Sequence, residues 1–254
     1  MQNYIIFWVF AIEYKVFKVY NILVIKTARM IELKKYLYDL HIHTKEASGC
    51  GETYAADIVK RYKDLGYDGI VITDHMSAGN FKKLGSDYSE QLENFFKGYY
   101  AAKAFEDENF TVILGMELRF LENDNDYLVY GIDEDFLRSR DFTQFETPEE
   151  FLPVARENGL AVFQAHPFRD GMTVLNPTIL DGIEVYNGHG GHDSRNDIAL
   201  CWAKKFGVRM ISGSDFHYVS KAQPGGVYFE ERLTDSKAVA DALLENRYTL
   251  KEIL

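Results

Sequence analysis

The sequence predicts an α/β fold closed into a barrel, and three observations carry that prediction. Short apolar runs alternate with amphipathic segments from Tyr36 to the C-terminus, about seven or eight times. Glycines recur between an amphipathic segment and the next apolar run, at Gly66, Gly159 and Gly207. Histidines and carboxylates follow several of the apolar runs, and an α/β barrel gathers its chemistry at the C-terminal ends of its strands.

Residues 1–29 stand apart. Tyr4 to Ile12 is apolar, but Glu13, Lys15 and Lys18 break the stretch, and a membrane span needs about 20 mostly apolar residues. No positive residue precedes the run and no small-residue cleavage site follows it, so it is also a poor secretory signal. Met30 opens Met30-Ile31-Glu32-Leu33-Lys34-Lys35 just before the first strand. The expectation is that 1–29 is an extension, dispensable or arising from an upstream start, and that 30–254 is the barrel domain. The intact mass of the native protein tests this, and a mature chain starting at Met1 would count against an upstream-start origin.

Tyr36 to Leu40 reads as the first strand. Thr53 to Leu65 reads as a helix with Ala55, Ile58, Val59, Tyr62 and Leu65 on one face. Gly69 to Thr73 is the next strand, followed by candidates at Phe110 to Leu114 and Tyr127 to Tyr130. Thr147-Pro148-Glu149-Glu150 combines an N-cap, a first-turn proline and a capping-box glutamate. Leu160 to Ala165, Gly182 to Tyr186, Val208 to Ser212 and Gly226 to Phe229 complete the strands. Ala199, Trp202, Ala203 and Phe206 line one face of the helix before the last motif.

The 254 residues are 46% hydrophobic, enough for a sizeable core. A net charge of −11 argues against a dedicated binder of duplex nucleic acid, which needs a basic face, though bound metals can reverse the local sign for phosphates. Cys50 and Cys201 form neither a zinc-type spacing nor a disulfide framework, so a reducing, cytoplasmic setting is expected.

Five of the seven histidines fall in four segments: Asp39-Leu40-His41-Ile42-His43-Thr44, Ile72-Thr73-Asp74-His75, Gln164-Ala165-His166-Pro167 and Gly213-Ser214-Asp215-Phe216-His217. His41 and His43 are two apart on a strand and face one side, where two imidazoles can share a metal. Asp39 is on that side too and reads as a supporting carboxylate. Asp74 and His75 end a strand apolar enough to be buried on both faces, so they need polar partners or a cation. Glu117 follows Val112-Ile113-Leu114-Gly115-Met116 and can bridge two metals, or pair with Arg119. Arg169, three residues past His166, can clamp a phosphate oxygen. The glycine-rich loop Asn187 to Asn196 offers Asn187, His189, His192 and Arg195 as substrate contacts, with Asp193 a candidate cap of the next helix. Asp74 and Arg169 are the candidate catalytic residues, and Arg169, Asn187 and His189 the candidate substrate contacts.

As an ordered set, these motifs resemble the PHP (polymerase and histidinol phosphatase) domain from about Tyr36 onward. The resemblance implies a distorted (β/α)7 TIM-like barrel and a phosphoesterase with two or three divalent ions, Zn, Mn or Fe. It implies one metal on His41, His43, Glu117 and Asp215. A second would be bridged by Glu117 and completed by His166 and a residue just before Leu128-Val129-Tyr130-Gly131. A third would lie on His75 and His217. Two departures stand out. Asn125-Asp126-Tyr127 lacks a histidine that many members carry, which makes Asp126 the candidate replacement. Ser48 and Gly49 stand where many members have Asp or His, leaving Glu46 or Cys50 as alternative donors.

Paired cations lower the pKa of a shared water and take up charge on phosphoryl oxygens, so no nucleophilic Ser or Cys is required. The function expected is hydrolysis of a small phosphorylated metabolite or nucleotide, with no duplex nucleic acid and no membrane as partner. An amidohydrolase also starts its barrel with His-x-His but usually bridges its metals with a carboxylated lysine. A metal-binding module without catalysis is the remaining alternative.

Overall fold

The computed structural model describes residues 34–220 and 222–251. The extension expected at 1–29 lies outside them. Eleven strands are described: β1 (Tyr36–Ile42), β2 (Gly69–Ile72), β3 (His75–Met76), β4 (Thr111–Leu114), β5 (Met116–Arg119), β6 (Asp126–Tyr130), β7 (Ala161–Gln164), β8 (Gly182–Asn187), β9 (Arg209–Gly213), β10 (Val227–Phe229) and β11 (Tyr248–Leu250). They form a five-stranded sheet in the order β11-β10-β1-β2-β4 and a six-stranded sheet in the order β3-β5-β6-β7-β8-β9.

The α/β class therefore holds, but the hydrogen-bonded ladder differs from the single closed ring of parallel strands that the sequence predicts. β5, β6 and β7 pair antiparallel, and so do β1 and β10. For β6 the reason is chain length: only Phe120 to Asn125 joins β5 to β6, whereas a parallel crossover needs about a dozen residues. The other seam lies between β9 and β1. They approach through an isolated bridge at Ile42 and Phe216, with His43 N–H donating to Phe216 O at 3.0 Å and Phe216 N–H to His41 O at 3.2 Å.

The sheets nevertheless enclose one core. Leu40 of β1, Val71 of β2, Ile113 of β4, Tyr130 of β6, Phe163 of β7 and Ile211 of β9 pack together, with Val239 and Leu243 of the helix Ser236–Leu244. Each such side chain fully buried contributes roughly 1.5–3 kcal/mol.

Local signals behave as the sequence reading has them. The helix Ala55–Asp64 buries Ala55, Ile58, Val59 and Tyr62, but Leu65 falls at its end and turns outward. Gly66, Gly159 and Gly207 all take positive φ, which ends helices without a Cβ clash. Thr147 caps the helix Pro148–Glu157, accepting from Glu150 N–H, while the Glu150 carboxylate accepts from Glu146 N–H. In the helix Asn196–Phe206, Ala199 and Ala203 are buried while Phe206 is exposed.

Candidate metal centre

Six strand ends meet above that core. His41 lies within β1 and His43 just beyond it, His75 opens β3, Glu117 lies within β5, and His166 and Asp215 follow β7 and β9. Because β6 runs antiparallel, it brings its first residue, Asp126, to the same end. Glu117 is the hub. Its Oε1 is 3.1 Å from His41 Nε2 and 3.2 Å from His166 Nε2, and its Oε2 is 3.3 Å from His43 Nε2 and 2.7 Å from His75 Nδ1. Asp215 Oδ1 lies 3.4 Å from His41 Nε2, 3.3 Å from His43 Nε2 and 3.2 Å from His217 Nδ1. Four groups each bring their donor atoms within 4.8 Å of one another: His43, His75 and His217; His41, His166 and Asp215; His41, His43 and Glu117; His75, Glu117 and Asp126.

The donors fit divalent cations better than they fit each other. Glu117 Oε2 is buried and, among the described residues, has no partner with hydrogen-bond geometry despite the nearby rings. His41 Nε2 and His43 Nε2 face each other at 3.0 Å. With hydrogens on the other nitrogens, beside Glu184 and Ser48, both offer lone pairs to one point.

Buried side chains hold this array. Glu184 of β8 is the residue the sequence reading missed. Its Oε1 lies 3.0 Å from His41 Nδ1, while its Oε2 accepts from His166 N–H and from Asn187 Nδ2. The signal was a carboxylate inside an otherwise apolar strand. Asn187, expected to touch substrate, also donates to Asp215 Oδ2 at 3.1 Å, so it braces two carboxylates. Asp39 accepts from His41 N–H, Ser214 N–H and Tyr62 OH, joining β1 to the segment after β9. Asp74 lies beneath the donors rather than among them. It accepts from Thr44 N–H at 2.7 Å, Thr44 Oγ1 at 2.8 Å and Ser48 Oγ at 2.6 Å, and Ser48 in turn reaches His43 Nδ1 and His75 N–H. His166 and Asp215 adopt φ of 26° and 48°, strained values for non-glycine residues and typical of functional sites.

The electrostatics are those of a cluster whose protons stand in for cations. Burial disfavours the charged form of His41, but Asp215, Glu184 and Glu117 outweigh it and hold its pKa well above the usual range. Burial likewise opposes charge on His75, and Glu117 raises it well above normal. His217 is pushed up to about 10 by Asp215 and Cys50 against the burial effect. Burial raises Glu117 and Asp215, yet the His41 charge dominates and both lie well below the ordinary carboxylate range. Burial also raises the Cys50 thiol, but hydrogen bonds from His217 and His75 bring it to about 5.

The array opens into a cavity of about 390 Å³ lined by Arg119, Arg169, His189 and His192 among others. A second cavity of about 430 Å³, lined by Ser77, Asn80 and Lys83, shares Cys50, His75 and Arg119 with it. Arg119 pairs with Asp126 through two 2.7 Å hydrogen bonds and not with Glu117, while Arg169 Nη2 is 3.6 Å from Asp126. Asp126 thus carries a bidentate arginine as well as a place in one donor group. His189 stacks on His192 at 4.1 Å. Burial lowers them to about 4 and about 3, so both are neutral at pH 7. Gly191 N–H donates to His189 Nδ1, which leaves Nε2–H as its donor. Arg195 is engaged by Phe168 O and Asp170. It also takes the N-cap position expected of Asp193, whose carboxylate accepts from Arg195 N–H instead.

No helix of the described residues is long and apolar enough to cross a membrane. The family model of the PHP domain matches residues 39–251. No curated protein matches. Among solved structures, a two-domain protein from Bacteroides vulgatus, described as containing a predicted PHP-like metal-dependent phosphoesterase, is 18% identical with a TM-score of 0.58 over 86% of this chain. PsfC from Pseudomonas syringae is 20% identical with a TM-score of 0.59, covering 82% of this chain and 87% of its own. A lesion-specific endonuclease from Pyrococcus furiosus is 14% identical with a TM-score of 0.54 over 85% of this chain. This chain spans 65% of the Bacteroides protein and 58% of the endonuclease. At these identities the likeness is one of fold. The family match covers most of the sequence, and the chain belongs to the PHP domain family.

Proposed function

We propose that this PHP-domain protein hydrolyses a phosphate ester of a small metabolite or nucleotide, using two or three divalent ions. The observation that carries this reading is Glu117, fully buried among His41, His43, His75 and His166 with an oxygen that no hydrogen bond claims. A carboxylate at the hub is what distinguishes the site from an amidohydrolase, whose usual bridge is a carboxylated lysine. Among the described residues, no lysine lines the 390 Å³ cavity at the cluster, and Lys83 lines only the adjoining one.

His41, His43, Glu117 and Asp215 would hold one ion, and Glu117, His166 and Asp126 a second. When bound, the ions activate water and neutralise charge on the phosphoryl oxygens. The protein's own residues do the rest. Arg169 stands at the cavity wall, where a guanidinium fork fits two phosphate oxygens, while the Arg119 fork beside it is committed to Asp126 and adds positive charge. The neutral His189 offers Nε2–H to the ester. The cavity volumes are of the size that takes a small molecule, and the net charge of −11 disfavours a duplex. Mixed histidine and carboxylate donors suit Zn, Mn and Fe alike.

The test is phosphate release from histidinol phosphate, AMP, a 3′,5′-bisphosphonucleotide and a chromogenic phosphodiester, with metal counted on the same sample. Turnover that disappears in His41→Ala and Asp215→Ala is expected. Bound metal with no phosphate released, but with hydrolysis of an amide panel, would replace this reading with C–N hydrolysis.

A further inference from the structure

Cys50 stands over two of the histidines. Its Sγ is 3.0 Å from His217 Nε2 and 3.2 Å from His75 Nε2. We propose that Cys50 is a metal ligand, forming with His75 and His217 a sulfur-containing site for a borderline or soft divalent cation, zinc foremost. The proposal rests on the metal-hydrolase reading above and deepens it, assigning a thiolate donor to the third position and stating the ion that donor favours.

The placement is built into the fold. The loop carrying Cys50 is fastened to the backbone of both histidines. Glu52 N–H donates to His217 O at 2.9 Å, and Ser48 Oγ accepts from His75 N–H at 3.1 Å. Gly49 N–H donates to Asn80 Oδ1 at 3.1 Å, and Gly51 passes so close to Thr44 that a Cβ would lie 2.5 Å from its carbonyl oxygen. These anchors hold the thiol's backbone beside the two imidazoles.

The two Cys50 separations lie just inside those of donors on a shared cation. Donors on a tetrahedral zinc, with bonds of about 2.0–2.3 Å, lie about 3.3–3.6 Å apart. To reach that spacing Cys50, an exposed residue, has to move outward by about half an ångström and the two imidazoles, whose ring centroids are 6.1 Å apart, have to turn toward one point. His75 and His217 already gather with His43 as one donor group. The other roles for a cysteine fit poorly. It is half of no disulfide, and it is exposed rather than packed as a small apolar side chain. Cys50 and His75 line both cavities. A cation held by three protein donors there keeps a position open toward substrate, the pattern of a catalytic rather than a structural site. Thiolate favours Zn or Cu(I) over Mn or Mg, so this position differs in preference from the histidine and carboxylate sites beside it.

The test is cobalt loading of the metal-stripped full chain under reducing conditions. It is followed by near-ultraviolet absorption for sulfur-to-cobalt charge transfer and by elemental counting. The native protein and Cys201→Ser are expected to show the thiolate band. Cys50→Ser should lose the band, and its weakest-bound equivalent should be held at least tenfold less tightly. Cys50→Asp should keep the metal count without the band. Matching thermal unfolding of the metal-free variants checks that the fold is intact. A fully loaded native protein without the band, or Cys50→Ser with unchanged band and count, overturns the proposal. Absence of the band alongside normal phosphate release sinks this site alone. A normal band with no phosphate ester turned over sinks only the phosphoesterase reading.

Discussion

The sharpest expectation concerns Glu184, which touches no substrate in any reading yet controls the chemistry of His41. In Glu184→Gln the shape is kept and one acceptor becomes a donor. If the amide oxygen faces His41 Nδ1 at the 3.0 Å now occupied by Oε1, the new NH₂ is turned toward His166 N–H and the Asn187 amide, both donors. Buried donors without acceptors cost about 1–3 kcal/mol each. If the amide is flipped, NH₂ faces His41 Nδ1 and drives the ring hydrogen onto Nε2. That nitrogen then has no lone pair for the cation it would share with His43 and Glu117. Both orientations weaken the site, and loss of such a supporting partner typically lowers metal affinity 10–100-fold, about 1.4–2.8 kcal/mol. The assay is competition against a chromogenic chelator at pH 7, with unfolding of the metal-free variant measured in parallel. Affinity within twofold of the native value would refute the idea that Glu184 sets the His41 tautomer.

Asp74→Asn should keep kcat within about tenfold, because an amide oxygen still accepts from Thr44 N–H and Ser48 Oγ and the Thr44 hydroxyl can turn to accept; loss of activity beyond about a thousandfold, measured at saturating substrate, would make Asp74 a proton carrier instead. Asp74→Ala orphans those three groups and should cost about 2–4 kcal/mol in denaturant unfolding. Gly98→Ala should damage the same node, since a Cβ there would lie 2.2 Å from Thr44 Oγ1 and 2.4 Å from Asp74 Oδ2; a loss of about 1–3 kcal/mol is expected, and unchanged stability would count against the packing. Metal loading should release protons at pH 7.5, because His41, His75 and His217 are all held above the usual imidazole range and must lose a proton to bind. Apparent affinity therefore rises with pH above neutrality, with the His217 share of the rise ending near pH 10. Calorimetry in buffers of different ionisation heat reads the protons directly, and loading without release would contradict the charge state. Arg169→Ala should raise KM tenfold or more with a smaller effect on metal count; an unchanged KM would remove it from the phosphate site.

Much of the site is legible in the sequence because it is encoded locally. A strand fixes which face each side chain takes, so His41 and His43 had to look the same way. Apolar runs such as Gly69 to Ile72 announced burial, so the polar residues just past them had to be satisfied by something other than water. Glycines with positive φ marked the helix ends for the same local reason. Strand direction is not local. The alternation suggested parallel βα units throughout, and the short link before β6 turned that strand around, which is why Asp126 reaches the cluster from a strand's beginning.

The sequence by itself determined which residue types stand at the strand ends and that they are of the kind that can donate to a metal. Only the tertiary structure decided which donors share a point and which support others. Asp74, adjacent to His75 in the chain, is taken by the Thr44 to Ser48 loop, whereas Glu184 meets His41 across 143 positions. Cys50 likewise meets His217 across 167. Periodicity sets the facing of a side chain; the few ångströms that separate a ligand from its support depend on how the two sheets close around their common core.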